Sequence, residues 1–263
     1  MNRDEMIEKI RDHWNEISDS EWYRSLRAEE CIRHLQEDPA SAFHPDVFDL
    51  IHKFIPDLAG RHILLPSSGD NHAAFAFAML GAHVTSSDIS ERQLERAADI
   101  AGNLGLQIEF VCDDTMELAH IPDRAYDLVY TSNGTLTWID RIDRMYQNIG
   151  RVLKKGGYSV MYDMHPFNRP FSGEPWKVPC IVKSYQDVFP DLHWRVQDLV
   201  NSQIRAGLRI CELAELSAQD ASFWYTFAEL QGKNKDELEG LNDWTKNPMA
   251  ALPAWIAMVS KKD

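Results

Sequence analysis

Between Arg61 and His165 the chain repeats one unit, a short apolar run ending in small or acidic residues and then a helical stretch. The runs are HILLP, AHVTSSD, LQIEFVCDD, YDLVYTSN and YSVMYDMH. Short apolar runs bounded by turn residues suit strands buried in a sheet. Strands alternating with helices imply right-handed βαβ crossovers and a parallel, doubly wound sheet in an α/β fold. The intervening helices are HAAFAFAMLG, SERQLERAADIAGNLG and IDRIDRMYQNIGRVL. Ser90 opens the second as an N-cap, and the glycines of KKGG are expected to end the third as a left-handed C-cap.

The flanks read differently. Residues 1–60 are helical in pattern, with Trp14, Ile17, Trp22 and Tyr23 set among charges, and Pro39, Pro45 and Pro56 divide them into short pieces. After the fifth run, VPCIVKSYQDV reads as an added strand, RVQDLVNSQIRAG as a helix, and LRICELAEL and LPAWIAMVSKKD as two further strands. Residues 217–250 between those last two are polar and read as helix and loop. So long an excursion permits an antiparallel strand at the edge of the sheet.

Composition narrows the function. With 263 residues, 44% apolar and 26% charged, the chain has material for one large α/β domain. Forty-one acids against 27 bases give a net charge of −14 without a basic stripe, which disfavours nucleic acid as partner. No apolar run is long enough for a bilayer, and MNRDEMIEKIRDHWNEI has no secretory pattern, so a cytoplasmic protein without membrane contact is expected. Cys31, Cys112, Cys180 and Cys211 are scattered without zinc-ligand spacing, and no metal is expected. Cys112 and Cys211 lie in strand-like runs and read as small hydrophobes.

In doubly wound sheets ligands bind beyond the carboxyl ends of the strands. The first such end here is PSSGDNHA, a small-residue turn running into a helix N-terminus, where backbone N–H groups are free. Asp88 ends the second run, where a carboxylate accepts hydrogen bonds from a ribose diol; Asp113 and Asp114 end the third, suited to an adenine edge. Together these loops offer the polar groups that an adenosine ligand needs.

On these residues, 61–164 resemble the core of the class I S-adenosylmethionine (SAM)-dependent methyltransferases. The first motif of that family is an acid followed by G-x-G-x-G; those positions fall on Leu65, Ser67, Gly69 and Asn71. The acid after the second strand falls on Asp88, the acidic turn after the third on Asp113 and Asp114, and the fourth motif on YDLVYTSNG with Asn133. LKKGG at 153–157 matches the turn before the fifth strand. The resemblance implies a Rossmann-like, mostly parallel seven-stranded sheet, with residues 57–263 as the methyltransferase domain and insertions around 166–195 and 217–250. It implies a helical lid over residues 1–56, and SAM as cofactor, held by Pro66, Ser67, Ser68, Gly69, Asn71, Asp88, Ile89, Asp113, Asp114, Ser132 and Asn133.

The activity so implied is methyl transfer to oxygen or nitrogen of a small molecule. A methyltransferase of RNA or protein, and a non-catalytic protein of the same fold, stay open as alternatives. Methyl transfer needs a positioned acceptor and, for a hydroxyl or amine, a proton acceptor. His165 after the fifth strand is the candidate base, with Asp163 either orienting it or lying on the opposite face. Trp14, Trp22, Tyr23, Trp138, Tyr162, Phe167, Trp176 and His193 are candidates to line the acceptor pocket, whereas Tyr130 reads as core. A nicotinamide enzyme is disfavoured, because His72 and Ala73 stand where G-x-G-x-x-G needs glycine.

Overall fold

The computed structural model describes residues 3–171, 178–189, 192–225 and 227–263. Four helices come first: α1 (Arg3–Ile17), α2 (Glu21–Leu26), α3 (Glu29–Glu37) and α4 (Pro45–Phe54). Then follow β1 (His62–Pro66), α5 (His72–Met79), β2 (His83–Asp88), α6 (Glu91–Asn103), β3 (Ile108–Cys112), β4 (Tyr126–Thr131), α7 (Ile142–Val152) and β5 (Leu153–Met164). The remainder is α8 (Val196–Arg205), β6 (Leu208–Leu216), the short helices α9 (Phe227–Leu230) and α10 (Lys235–Leu241), and β7 (Trp255–Lys262).

The seven strands form one sheet in the order β3-β2-β1-β4-β5-β7-β6. Neighbours from β3 to β5 are parallel, and β7 pairs antiparallel with both β5 and β6. The reversed strand is therefore interior rather than at the edge, and β6 is the edge. Chain order reverses between β1 and β4, which opens a crevice at their carboxyl ends.

Burial explains the layers. Four of the five β1 residues are buried, as a central strand covered on both faces requires. Helix α5 buries Ala73, Ala74, Phe75, Ala76 and Phe77; its alanines let the helix approach the sheet closely. Phe77 meets Phe43 and Tyr130 edge-on, with centroids 5.0 and 5.6 Å apart, and Tyr130 is core as expected. Val47, Leu50 and Ile51 of α4 join this layer. Met145, Tyr146 and Ile149 of α7 with Leu199 of α8 build the opposite one. No helix among the described residues is long and apolar enough to cross a membrane.

Three local expectations are corrected. VPCIVKSYQDV forms no strand among its described residues; a single bridge joins Phe171 to Ile181, because both neighbours of β5 are already β4 and β7. KKGG caps no helix: α7 ends at Val152, Leu153 pairs with Tyr126, and the register then shifts before Leu128 pairs with Tyr158. Gly156 takes φ +84° in that irregularity, and a Cβ on Gly157 would sit 3.0 Å from the carbonyl oxygens of Lys154 and Tyr126. Cys112 lies in β3 as expected but is exposed, and Cys211 is only partly covered.

Candidate functional site

The turn after β1 is built for close approach. Gly69 has φ +49°, and Ser67 adopts φ +50° although it carries a Cβ. A non-glycine residue held there is strained, and such strain concentrates at functional sites. Ser67 is anchored by a 2.6 Å hydrogen bond between its hydroxyl and that of Thr115, and Ser68 bonds through its hydroxyl to Ser86. Asn71 needs no left-handed geometry: at φ −60° it caps α5 by accepting from Ala73 N at 2.8 Å, and its Nδ2 donates to Ser132 Oγ at 2.7 Å. Leu65 is buried core where the family motif has an acid.

Asp88 stands across from this turn. Its carboxylate accepts from Gly69 N and Ser90 N, both at 2.8 Å. Burial pushes its carboxyl up to about 6, against the opposing pull of those backbone N–H groups. Asp113 and Asp114 divide their tasks. Asp113 is turned inward, accepting from Asp114 N at 2.9 Å and His120 N at 2.7 Å, while Asp114 faces a cavity and holds Arg3 of α1 at 2.7 Å.

That cavity, about 370 Å³, lies beyond the carboxyl ends of β1 to β4 under α1 and α2. Ser67, Ser68, Gly69, Asn71, Asp88, Ile89, Asp114, Ser132 and Asn133 all line it, as do Trp14, Trp22, Tyr23 and Trp138. Trp14 packs on Trp138 with centroids 5.3 Å apart and on Tyr23 at 6.3 Å. The covering helices are tied down by charge. Arg27 pairs with Asp70 and donates to Ser18 O at 2.6 Å, and Asp19 receives Arg92 at 2.5 Å and Arg96 at 2.9 Å. The side chains of Arg27 and Asp70 are 12% and 6% exposed, so this pair is largely shielded from solvent.

Other expected site residues lie elsewhere. Pro66 and Asp113 are buried behind the wall. Tyr162 packs in the core against Trp255 and His44, at 5.0 and 5.9 Å. Phe167 lies outside the cavity on His165 and Tyr185, and His193 is also off the wall. Trp176 falls outside the described residues.

His165 is corrected as a candidate base. It is fully buried away from the cavity, with Nε2 2.9 Å from Glu215 Oε1 and Nδ1 accepting from Phe167 N at 3.2 Å. The ring caps the short 3-10 turn Pro166–Asn168 and reaches Glu215 of β6. Asp163 does not orient it; the Asp163 carboxylate accepts from Gly134 N at 3.2 Å and Leu136 N at 3.1 Å, holding the loop that carries Ser132 to Trp138. Burial raises the Asp163 carboxyl well above the usual carboxylate value.

The cavity also recruits residues that the motifs did not single out: Ile7, Leu26, Asp70, His72, Gln93 and Thr135. His72 is the one histidine on the wall among the described residues. Its Nε2 lies 3.1 Å from Leu26 O, and burial lowers its pKa. Asp70 sits inside the recognised turn, and Gln93 one helical turn past the Ser90 cap; proximity to those motifs was the available signal. Gln93 is 2% exposed, and its Nε2 has no hydrogen-bond partner among the described residues. A buried orphan donor, a left-handed turn open to the cavity and a carboxylate beside it fit a ligand that has hydroxyl groups to donate and accept, as an adenosine does.

Residues 66–157 match the methyltransferase domain family. No curated protein matches the chain. Magnesium protoporphyrin IX methyltransferase from Synechocystis PCC 6803, solved with bound SAH, is 16% identical, with a TM-score of 0.61 over 98% of this chain and 100% of that one. Geranyl diphosphate C-methyltransferase from Streptomyces coelicolor A3(2) is 12% identical, with a TM-score of 0.61 over 98% of each chain. The [4+2]-cyclase SpnF is 23% identical, with a TM-score of 0.58 over 82% of this chain and 80% of that one. At these identities the likeness is one of fold, and it spans proteins of differing chemistry. Residues 66–157 are thus similar to a methyltransferase domain, and the seven-stranded topology is the Rossmann-like fold of the SAM-dependent methyltransferases.

Proposed function

We propose that the protein is a SAM-dependent methyltransferase acting on oxygen or nitrogen of a small molecule. The observation carrying this reading is the capped cavity of about 370 Å³, whose wall joins the strained Ser67–Gly69 turn, Asp88 and Asp114 to an aromatic group under α1 and α2. Asp88 accepts from the ribose hydroxyls, while Ile89 and Asp114 border the adenine. Ser132 and Asn133, with the Ser67–Asn71 turn, flank the rest of the cofactor. When bound, SAM supplies an electrophilic methyl group on a sulfonium. Trp14, Tyr23 and Trp138 exclude water and position the acceptor, with the exposed Trp22 beside them.

The proton-accepting group in this reading is His72. Its Nε2–H donates to Leu26 O, so the neutral ring keeps its lone pair on Nδ1, and the lowered pKa keeps the ring neutral near pH 7. A small acceptor is supported by the cover of α1 and α2 over the cavity and by the net charge of −14, which disfavours nucleic acid.

The test is calorimetric titration of ligand-stripped protein with S-adenosylhomocysteine and, separately, with NADH. Micromolar affinity for the first alone is expected. Its absence in folded protein overturns the reading in favour of a non-catalytic fold. With an acceptor in hand, His72→Gln is expected to lower kcat about a hundredfold while cofactor affinity holds.

A further inference from the structure

Gln93 occupies an unusual position on the cavity wall. It lies in the first turn of α6, its backbone N–H donating to Ser90 Oγ at 3.1 Å, so the residue is fixed relative to the end of β2 and to Asp88. Its side chain folds over the turn after β1: a Cβ built on Gly69 would lie 3.4 Å from both Gln93 Cβ and Oε1. With 2% exposure it has exchanged water for protein on nearly every side. Nevertheless Nε2, which carries two N–H donors, finds no acceptor among the described residues. An orphaned buried donor is costly and calls for an explanation.

The orientation of the carboxamide follows from chemistry. Arg27 Nη2 lies 3.5 Å from Gln93 Oε1. A guanidinium only donates, so the atom of Gln93 facing it is the oxygen, and the amide nitrogen is turned away from Arg27. Arg27, at the end of α2, is itself held by Asp70 of the turn after β1 and by Ser18 between α1 and α2.

We propose that Gln93 is a cofactor-binding residue: positioned by Arg27, its amide donates to a ribose hydroxyl oxygen while Asp88 accepts from the ribose diol. This rests on the cofactor reading above. The two side chains are complementary, since each ribose hydroxyl both donates and accepts, and Asp88 serves only the donating half. Gln93 also touches the cover and the ligand with opposite ends of one amide, so cofactor binding and seating of α1 and α2 reinforce each other.

The experiment is calorimetry of wild type, Gln93→Leu and Gln93→Glu with S-adenosylhomocysteine, 5′-methylthioadenosine, and the 2′- and 3′-deoxy forms of the latter. Thermal melts establish folding, and Gln93→Glu, which keeps shape and removes the donor, stands in if the leucine variant does not fold. Expected is a loss of about tenfold in affinity for both full-ribose ligands in Gln93→Leu, the value of one buried hydrogen bond. One deoxy ligand should then bind wild type and variant alike. Unchanged affinity in the variants overturns the proposal. A loss confined to S-adenosylhomocysteine also overturns it, since the partner is then the homocysteine carboxylate. Failure of wild type to bind any of these ligands overturns the cofactor reading itself.

Discussion

Lowering the pH from 7 to 5 should weaken S-adenosylhomocysteine binding about tenfold, through one carboxyl group. The Asp88 carboxyl, pushed up to about 6 by burial, is about nine-tenths ionised at pH 7 and about one-tenth ionised at pH 5. Only the ionised form accepts from both ribose hydroxyls, so affinity tracks that fraction, and tenfold corresponds to about 1.4 kcal/mol. Stability of the free protein runs the other way. An acid whose folded pKa is raised above its usual 3.8 favours the protonated folded state, so its contribution is full below that value and is lost as pH rises through about 6. Calorimetry at pH 5, 6 and 7 and matched ionic strength measures the affinity. His72, Asp70 and Asp114 also face the cavity, and Asp88→Asn separates them, because their contributions survive in that variant. Tyr23, raised to about 12 mainly by burial, is silent in this range. A wild type without slope, or an Asp88→Asn variant that keeps it, rules out Asp88 as the titrating group.

Further outcomes follow from the same geometry. Arg27→Met leaves Asp70 without its partner and should cost about 3 kcal/mol, with faster hydrogen exchange over residues 3–26; unchanged melting and exchange would show that the pair does not hold the cover. Leu65→Asp, which restores the acid of the family motif, places a charge in core and should destabilise by about 3 kcal/mol, read from denaturant unfolding; normal stability with tighter cofactor binding would refute this. His165→Ala should lower stability by about 2 kcal/mol and leave S-adenosylhomocysteine affinity unchanged, whereas a tenfold loss of affinity would return His165 to the site. Gly69→Ala puts a Cβ at φ +49° and should cost about 1–2 kcal/mol, seen as a lowered Tm.

The sequence reads well where one strand or turn decides the outcome. Each of the five apolar runs became a strand, and the crevice residues followed from where those strands end. Asp88 and Asp114 face the cavity for that reason, and Trp14 and Trp138 meet in it although 124 positions apart in the chain. Legibility stopped where direction depends on a distant partner. Asp113 and Asp114 are adjacent and chemically alike, and only the His120 N–H that captures the first shows which of them turns inward. His165 stands at the expected strand end, but its ring direction is set by Glu215 on β6, which no spacing in the fifth run encodes. Gln93 reads as an ordinary polar residue of an amphipathic helix; its place on the cavity wall under Arg27 emerges only in the fold. The same reason explains VPCIVKSYQDV, whose local pattern favours extension but finds no free neighbour on β5.

The placement of β7 carries a consequence for biosynthesis. It hydrogen-bonds to β5 on one side and β6 on the other, over Tyr158–Met164 and Leu208–Leu216 respectively. A ribosome delivers residues 255–262 after both partners, so β5 and β6 wait in the nascent chain with open edges, the condition in which strands pair wrongly between molecules. The crevice half of the sheet, β1 to β4, can zip as its strands emerge, whereas the other half closes only by inserting its latest segment between two earlier ones. Completion of the sheet is thus tied to synthesis of that last strand, and chaperone demand should be greatest over the interval from Leu216 to Trp255.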